Sequence, residues 1–474
     1  MRFRASREAT PAAKGDGDGN GDGDGDGDVD GAETWVGAAA FVVLVLASHA
    51  LCYFLHWAAE HNGGSALPGG WSGPLPAFLA SVAPTRESVG AYGALLLSQV
   101  AFAACLPGPV VLGLPVGELG GARLAYRCNG LAAWYTTLAV AVALHATGVY
   151  PLQRLERMAG PLMSTAILAA DSVAVALHVA AAARGLCSRR LRRVPRDFVM
   201  GRVLNPRLLS GRVDVKMLAE VRTSWTLLFL LSCSAALVQR DRLGHVTGPM
   251  AVTLLAHGLY ANAVVKGEEF IPLTWDIQTE RFGWMLAFWN MAGVPFVYTF
   301  NARFLAAQPP EYRPHAHWAA CPALAALLLT AYVVWDEANA QKCSFRRDQL
   351  RLAGGADDEA PSTRRRWAFP HMPRAVLDRP KALATRAGPP LLVDGWYSHV
   401  RKPHYTADMA MAWLAAVAAG GASGFVLPYY HPLFLTPVLV HREIRDSRRC
   451  REKYGADWDR YCARVPYVFI PGLW

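Results

Sequence analysis

The chain has 474 residues, of which 53% are hydrophobic and 18% charged, with a formal net charge of +10. Apolar content above the soluble norm and charge below it exclude an ordinary soluble domain and point to a polytopic membrane protein. The basic residues lie in loops between apolar runs, so they speak for membrane topology and an anionic ligand and against nucleic acid as a partner.

Residues 1–33 carry an Asp-Gly repeat from Gly15 to Asp28. Such a repeat buries nothing, so an acidic disordered tail is expected, with no calcium or phosphate loop. No cleavable signal precedes the first apolar run, which should act as its own insertion signal. Apolar spans are expected at roughly 35–58, 89–106, 129–147, 160–183, 224–238, 247–265, 282–305 and 316–336, with a last pair at 408–424 and 426–440. Crossing the hydrocarbon takes about 20 residues of helix. The expected fold is therefore all-α, with about ten transmembrane helices. Gly420-Gly421 and Pro428 interrupt the last pair and make it a re-entrant candidate.

Loop charge sets the orientation. Segments 185–223 and 337–407 hold ten and thirteen Lys/Arg, whereas the four loops of the other side together hold six. The positive-inside rule then places both termini and the basic loops in the cytosol. Four regions follow: the tail 1–33, spans one to eight over 34–336, a basic cytosolic loop 337–407, and a C-terminal hairpin with a cofactor-binding segment over 408–474. Nine cysteines are scattered without paired spacing, so neither a disulfide framework nor a metal site is expected.

Polar residues inside apolar spans face a cavity or a partner. Glu268 and Glu269 close one span, with Asp276 beyond them and Tyr260 before them. Lys342 and Arg346 stand four apart after the eighth span and share a helix face suited to a phosphate. Arg364-Arg365-Arg366 reads as a topology signal. Arg442, Arg445, Asp446 and Arg449 fall on one helical stripe, followed by Tyr454, Trp458 and Tyr461. Arginines beside aromatic faces suit a purine and ribose phosphate. No strand–G-x-G-x-x-G–helix unit occurs in the apolar portion, so a Rossmann domain is excluded.

Several motifs then occur in one order: Leu106-Pro107-Gly108 with Gly113-Leu114-Pro115, Tyr126-Arg127-Cys128-Asn129-Gly130, Gly201 to Arg207 (GRVLNPR), and the C-terminal set. From Leu106 to the C-terminus the chain resembles the sterol reductases of the endoplasmic reticulum membrane. Thr274-Trp275-Asp276, Phe288 to Pro295 and Asp394-Gly395-Trp396-Tyr397 are most similar to the Δ24(28) branch of that family. The resemblance implies NADPH as cofactor, a sterol substrate in a membrane-embedded pocket, contact with membrane lipid, and residence in the endoplasmic reticulum. It implies Lys342 and Arg346 near the phosphates and Tyr397 near the nicotinamide. Leu392, His404, Asp408, Arg442, Asp446 and Tyr461 are implied around the cofactor. His404 stands where Asn is commoner in the family, and Tyr397 where Trp is.

An isolated alkene accepts hydride poorly. The expected mechanism protonates the terminal carbon of a 24-methylene group first and quenches the C24 cation with hydride. A carboxyl kept protonated by apolar burial suits the first step. Glu268 and Glu269 lead as donors, with Tyr260 and Asp276 behind. Two other classes stay open: a methyltransferase using S-adenosylmethionine, similar to the isoprenylcysteine carboxyl methyltransferases, and a non-catalytic sterol-binding protein.

Overall fold

The computed structural model describes residues 35–65, 75–315, 319–352 and 377–474. The Asp-Gly tail and Arg364-Arg365-Arg366 lie outside the described residues. Among the described residues, six helices are long and apolar enough to cross a membrane: Trp35–His61, Arg86–Cys105, Ala159–Ala183, Val215–Leu243, Gly248–Lys266 and Ala320–Gln349. A seventh apolar helix, Gly130–Ala146, is shorter. Three two-stranded antiparallel hairpins are the only sheets among the described residues, and none resembles a dinucleotide-binding sheet.

Local chemistry sets the helix ends. Thr85 and Ser88 cap the helix Arg86–Cys105 reciprocally, each side chain accepting from the other's backbone N–H. Thr247 and Pro249 start the helix Gly248–Lys266 in the same economical way, Pro lacking the N–H that the first turn cannot use. The expected span 282–305 is broken by Gly293 and Pro295 into Trp284–Phe288, a π-helical turn Trp289–Gly293, Val294–Val297 and Phe300–Ala307. The π turn frees a carbonyl, that of Met291, and the buried Tyr92 hydroxyl donates to it at 2.9 Å. A second π turn, Leu218–Thr223, packs near the first.

The N-terminal motifs form one joint. Asn129 Nδ2 donates to the carbonyls of Phe102, Ala103 and Leu106, closing the C-terminus of Arg86–Cys105. Gly108 lies so close that a Cβ there would stand 2.5 Å from the Asn129 Cβ. Asn205 donates to the Tyr126 hydroxyl at 2.7 Å, and Arg207 covers the Tyr126 ring while pairing with Asp214 at 3.0 Å. The motifs are thus scaffold: they fix the loop between the second and third spans.

The eighth span runs on as one helix, Ala320–Leu352, so Lys342 and Arg346 ride its extension. The last pair differs from a simple hairpin. Pro403–Gly420 ends where Gly421 takes φ +51°, and a 3-10 turn, Leu427–Tyr429, leads into a single helix, Tyr430–Tyr454. Its first half is apolar and its second half carries the arginine stripe.

Candidate active site

Two buried regions compete for the chemistry. In the first, Glu268 is 1% exposed and receives the Gly130 N–H at 2.6 Å and the Arg222 guanidinium at 2.8 Å. Arg222 is itself buried. A buried carboxyl paired with a buried guanidinium braces the elements it joins, because removing either partner strands the other. Glu269 is buried beside it.

In the second region, Tyr260, on Gly248–Lys266, donates to the Asp408 carboxylate on Pro403–Gly420 at 2.5 Å. Its ring stacks on Trp225 at 5.9 Å and meets Trp335 edge-on at 6.4 Å. Tyr298 lies within electrostatic reach of Asp408 and packs its ring on His431 at 4.5 Å. A proposed proton donor and a proposed cofactor residue therefore meet, on two helices 148 positions apart in sequence.

Beyond this pair, toward the start of Pro403–Gly420, the charges gather. Tyr397 Oη is 3.2 Å from His404 Nδ1. Lys402 pairs with Asp446 at 2.9 Å and lies over the Tyr405 ring. Arg442 reaches Asp276 at 3.3 Å, drawing that carboxylate into the same cluster. Lys342, Lys402 and Arg442 all act electrostatically on His404. Leu392 and Tyr397 pack with Ala338 and Phe345 of the long helix, so the chain after residue 390 runs beside Lys342 and Arg346. Gly395 makes this possible: it takes φ +55°, and a Cβ there would stand 2.4 Å from the Gln341 Oε1. The Tyr461 ring lies tilted against Trp458 at 5.1 Å and packs with Val393 and Val465.

The residues present fit a nucleotide phosphate. Lys342 and Arg346 are exposed, one turn apart, and neither forms an ion pair with a carboxylate among the described residues. Unpaired cations fixed on a rigid helix between other cations favour an anion. Lys402 is a part of this cluster that sequence reasoning passed over, although Arg401-Lys402-Pro403 stands in the motif; its partner Asp446 lies 44 residues away. Tyr298 and His431 were also passed over, both standing in mostly apolar segments.

The fold and site define a multi-pass helical membrane protein whose interior acid–base pair adjoins a recess lined with cations. The description "ergosterol biosynthesis ERG4/ERG24 family" matches residues 74–474. The chain is 39% identical over 388 residues to a Delta(24(24(1)))-sterol reductase of Aspergillus fumigatus, covering 82% of this chain and 79% of that protein. It is 40% identical over 384 residues to the Delta(24(24(1)))-sterol reductase of Gibberella zeae, covering 80% of this chain and 61% of that one. It is 31% identical over 442 residues to a Delta(14)-sterol reductase of Methylotuvimicrobium alcaliphilum, covering 92% and 95%. The chain belongs to the ERG4/ERG24 family of sterol reductases.

Proposed function

We propose that this enzyme, an oxidoreductase, reduces the Δ24(28) side-chain double bond of a sterol, the bond also written Δ24(24(1)), using NADPH in the endoplasmic reticulum membrane. The observation that carries the reading is the Tyr260–Asp408 pair beside the cations Lys342, Arg346, Lys402 and Arg442. Similarity near 40% to two reductases named for that bond supports the choice of substrate. With both termini cytosolic, as the loop charge favours, the cationic recess faces the cytosol, where a soluble nucleotide reaches it.

NADPH, when bound, supplies the hydride. Lys342 and Arg346 hold its phosphates, one as a point charge and the other as a planar fork. Arg442, Asp446 and Tyr461 flank the nucleotide, and Leu392, Tyr397 and His404 orient it from the adjoining strand and helix start. Tyr260 delivers a proton to the terminal alkene carbon, and Asp408, which accepts the Tyr260 hydrogen bond, orients the phenol. The cation formed at C24 is shielded from water by the rings of Trp225 and Trp335 about Tyr260. This moves the proton-donor role from Glu268 and Glu269 to Tyr260, since Glu268 is bound to Arg222 and Asp276 to Arg442.

Expression in yeast lacking its Δ24(28) reductase tests the reading. Loss of the unreduced side-chain sterol and recovery of the reduced product support it. Persistence of that sterol with conversion of Δ14 dienes instead assigns the chain to ring reduction, the activity named for the relative at 31% identity.

A further inference from the structure

Asp171 stands at the centre of Ala159–Ala183, twelve residues from either end. His49 is equally deep in Trp35–His61, fourteen and twelve residues from its ends. At 1.5 Å per residue, each lies about 18 Å or more along its own helix from either helix end. His49 Nε2 is 3.1 Å from Asp171 Oδ2, and Trp284 Nε1 donates to Asp171 Oδ1 at 2.8 Å. His49 Nδ1 is 2.8 Å from the Val45 carbonyl, which can only accept, so Nδ1 carries a hydrogen. The Nε2–Oδ2 contact then requires one shared proton, which keeps the pair neutral overall.

The side chains of His49 and Asp171 are nevertheless 24% and 32% exposed. At mid-bilayer depth the neighbours of an open polar pair are acyl chains, which form no hydrogen bonds, or a polar group of a guest. Ionisable residues in such positions mark functional sites. Each Asp171 oxygen has one partner and lone pairs to spare. Beside the pair, Trp284 stacks on Phe288 at 4.7 Å and 25°, and both rings are buried, which fixes the indole N–H on Asp171. A guest that suits this place is apolar, with a hydroxyl to reach the spare lone pairs of Asp171.

We infer that Asp171, His49 and Trp284 form the anchor for the ring hydroxyl of a sterol. This rests on the sterol reductase reading and adds to it a binding subsite remote from Tyr260. The segment from Trp284 to Tyr298 joins the anchor to the residues about Asp408, and fourteen helical residues reach up to about 21 Å. A sterol's hydroxyl and its side-chain double bond also lie at opposite ends of the molecule. Held at Asp171, it presents the side chain, and not the rings, to Tyr260.

The test uses the full chain in lipid nanodiscs with a 24-methylene sterol and its 3-O-methyl ether. Wild type favours the free hydroxyl in kcat/KM by about tenfold or more, the worth of a hydrogen bond to a charged group. Asp171→Leu raises KM for the free sterol toward that of the ether, abolishes the preference, and leaves NADPH binding unchanged. A wild type indifferent to the ether, or an Asp171→Leu enzyme that still discriminates, overturns the anchor while the reductase activity stands. Should Asp171→Leu fail to fold, a sterol with a photoreactive group at C3 decides the matter on wild type. Labelling of the peptides holding His49, Asp171 or Trp284 supports the anchor, and labelling elsewhere alone refutes it. A wild type that oxidises no NADPH with any sterol sinks the catalytic reading instead, and the photolabel still tests the anchor.

Discussion

The Tyr260 hydroxyl donates to the Asp408 carboxylate across two helices, and one turn before Asp408 on the same helix stands His404, on which the cations Lys342, Lys402 and Arg442 act. The start of Pro403–Gly420 thus brings together the groups to which the proposed reaction gives the roles of acid, orienting base and cofactor cradle. Tyr260→Phe removes the transferable proton while keeping the ring stacked on Trp225. It is expected to lower kcat by about 10²–10⁴-fold with NADPH affinity intact. Single-turnover assays and NADPH titration check this; unchanged turnover removes Tyr260 from the mechanism.

Lys342 and Arg346 have no carboxylate partner among the described residues, so their truncation costs binding and little stability. Arg346→Ala is expected to raise KM for NADPH by about tenfold or more, the loss of one charge-assisted hydrogen bond. The melting temperature should stay within a few degrees of wild type. Lys342→Ala behaves alike, and saturating NADPH restores kcat in both. An unaltered KM would place the phosphates elsewhere.

Glu268→Gln separates bracing from catalysis. Removing one charge of the buried Arg222–Glu268 pair leaves the other uncompensated, at about 3–5 kcal/mol of stability. Folded Glu268→Gln protein should turn over at a rate close to wild type, and Glu269→Gln likewise. Thermal unfolding in detergent and turnover per folded molecule measure the two effects. A stable but inactive Glu268→Gln protein would return the donor role to that carboxyl.

Two carboxylates make the segment after residue 377 pH-dependent. The Lys381 and then the Gly395 backbone N–H groups hold the Asp394 carboxyl below its usual range. The Arg386 N–H, at 2.6 Å, and then the Arg460 side chain do the same for Asp457. Because both values are depressed on folding, their stabilisation is fully present above the ordinary carboxyl value of about 3.9. It is lost as pH falls through the folded values. Limited proteolysis between residues 377 and 400 should therefore accelerate below about pH 4. Asp394→Asn and Asp457→Asn should flatten that dependence; equal acid sensitivity in the variants would contradict it.

The sequence carried the class, the helical content and the stations of the cationic recess, because hydropathy and charge runs are local signals. Lys342 and Arg346 were legible from their spacing of four on a continuing helix, and the structure extends that helix to Leu352. The breaks within 282–305 were not, since a π turn depends on where Tyr92 offers its hydroxyl, 199 residues away. The partner of Glu268 was not legible, since Arg222 stands 46 residues earlier in the chain. Asp171 had a signal, a lone carboxylate in the middle of an apolar run, but its partners His49 and Trp284 lie 122 and 113 residues off.

Isotope transfer bears most directly on the role of the cationic recess. Purified protein in nanodiscs is supplied with a 24-methylene sterol and NADPH deuterated at the transferable position of its nicotinamide. One deuterium at C24 of the reduced product, with the hydrogen added to the terminal carbon coming from solvent, is the predicted result. Reduced sterol carrying no deuterium from the dinucleotide would contradict it.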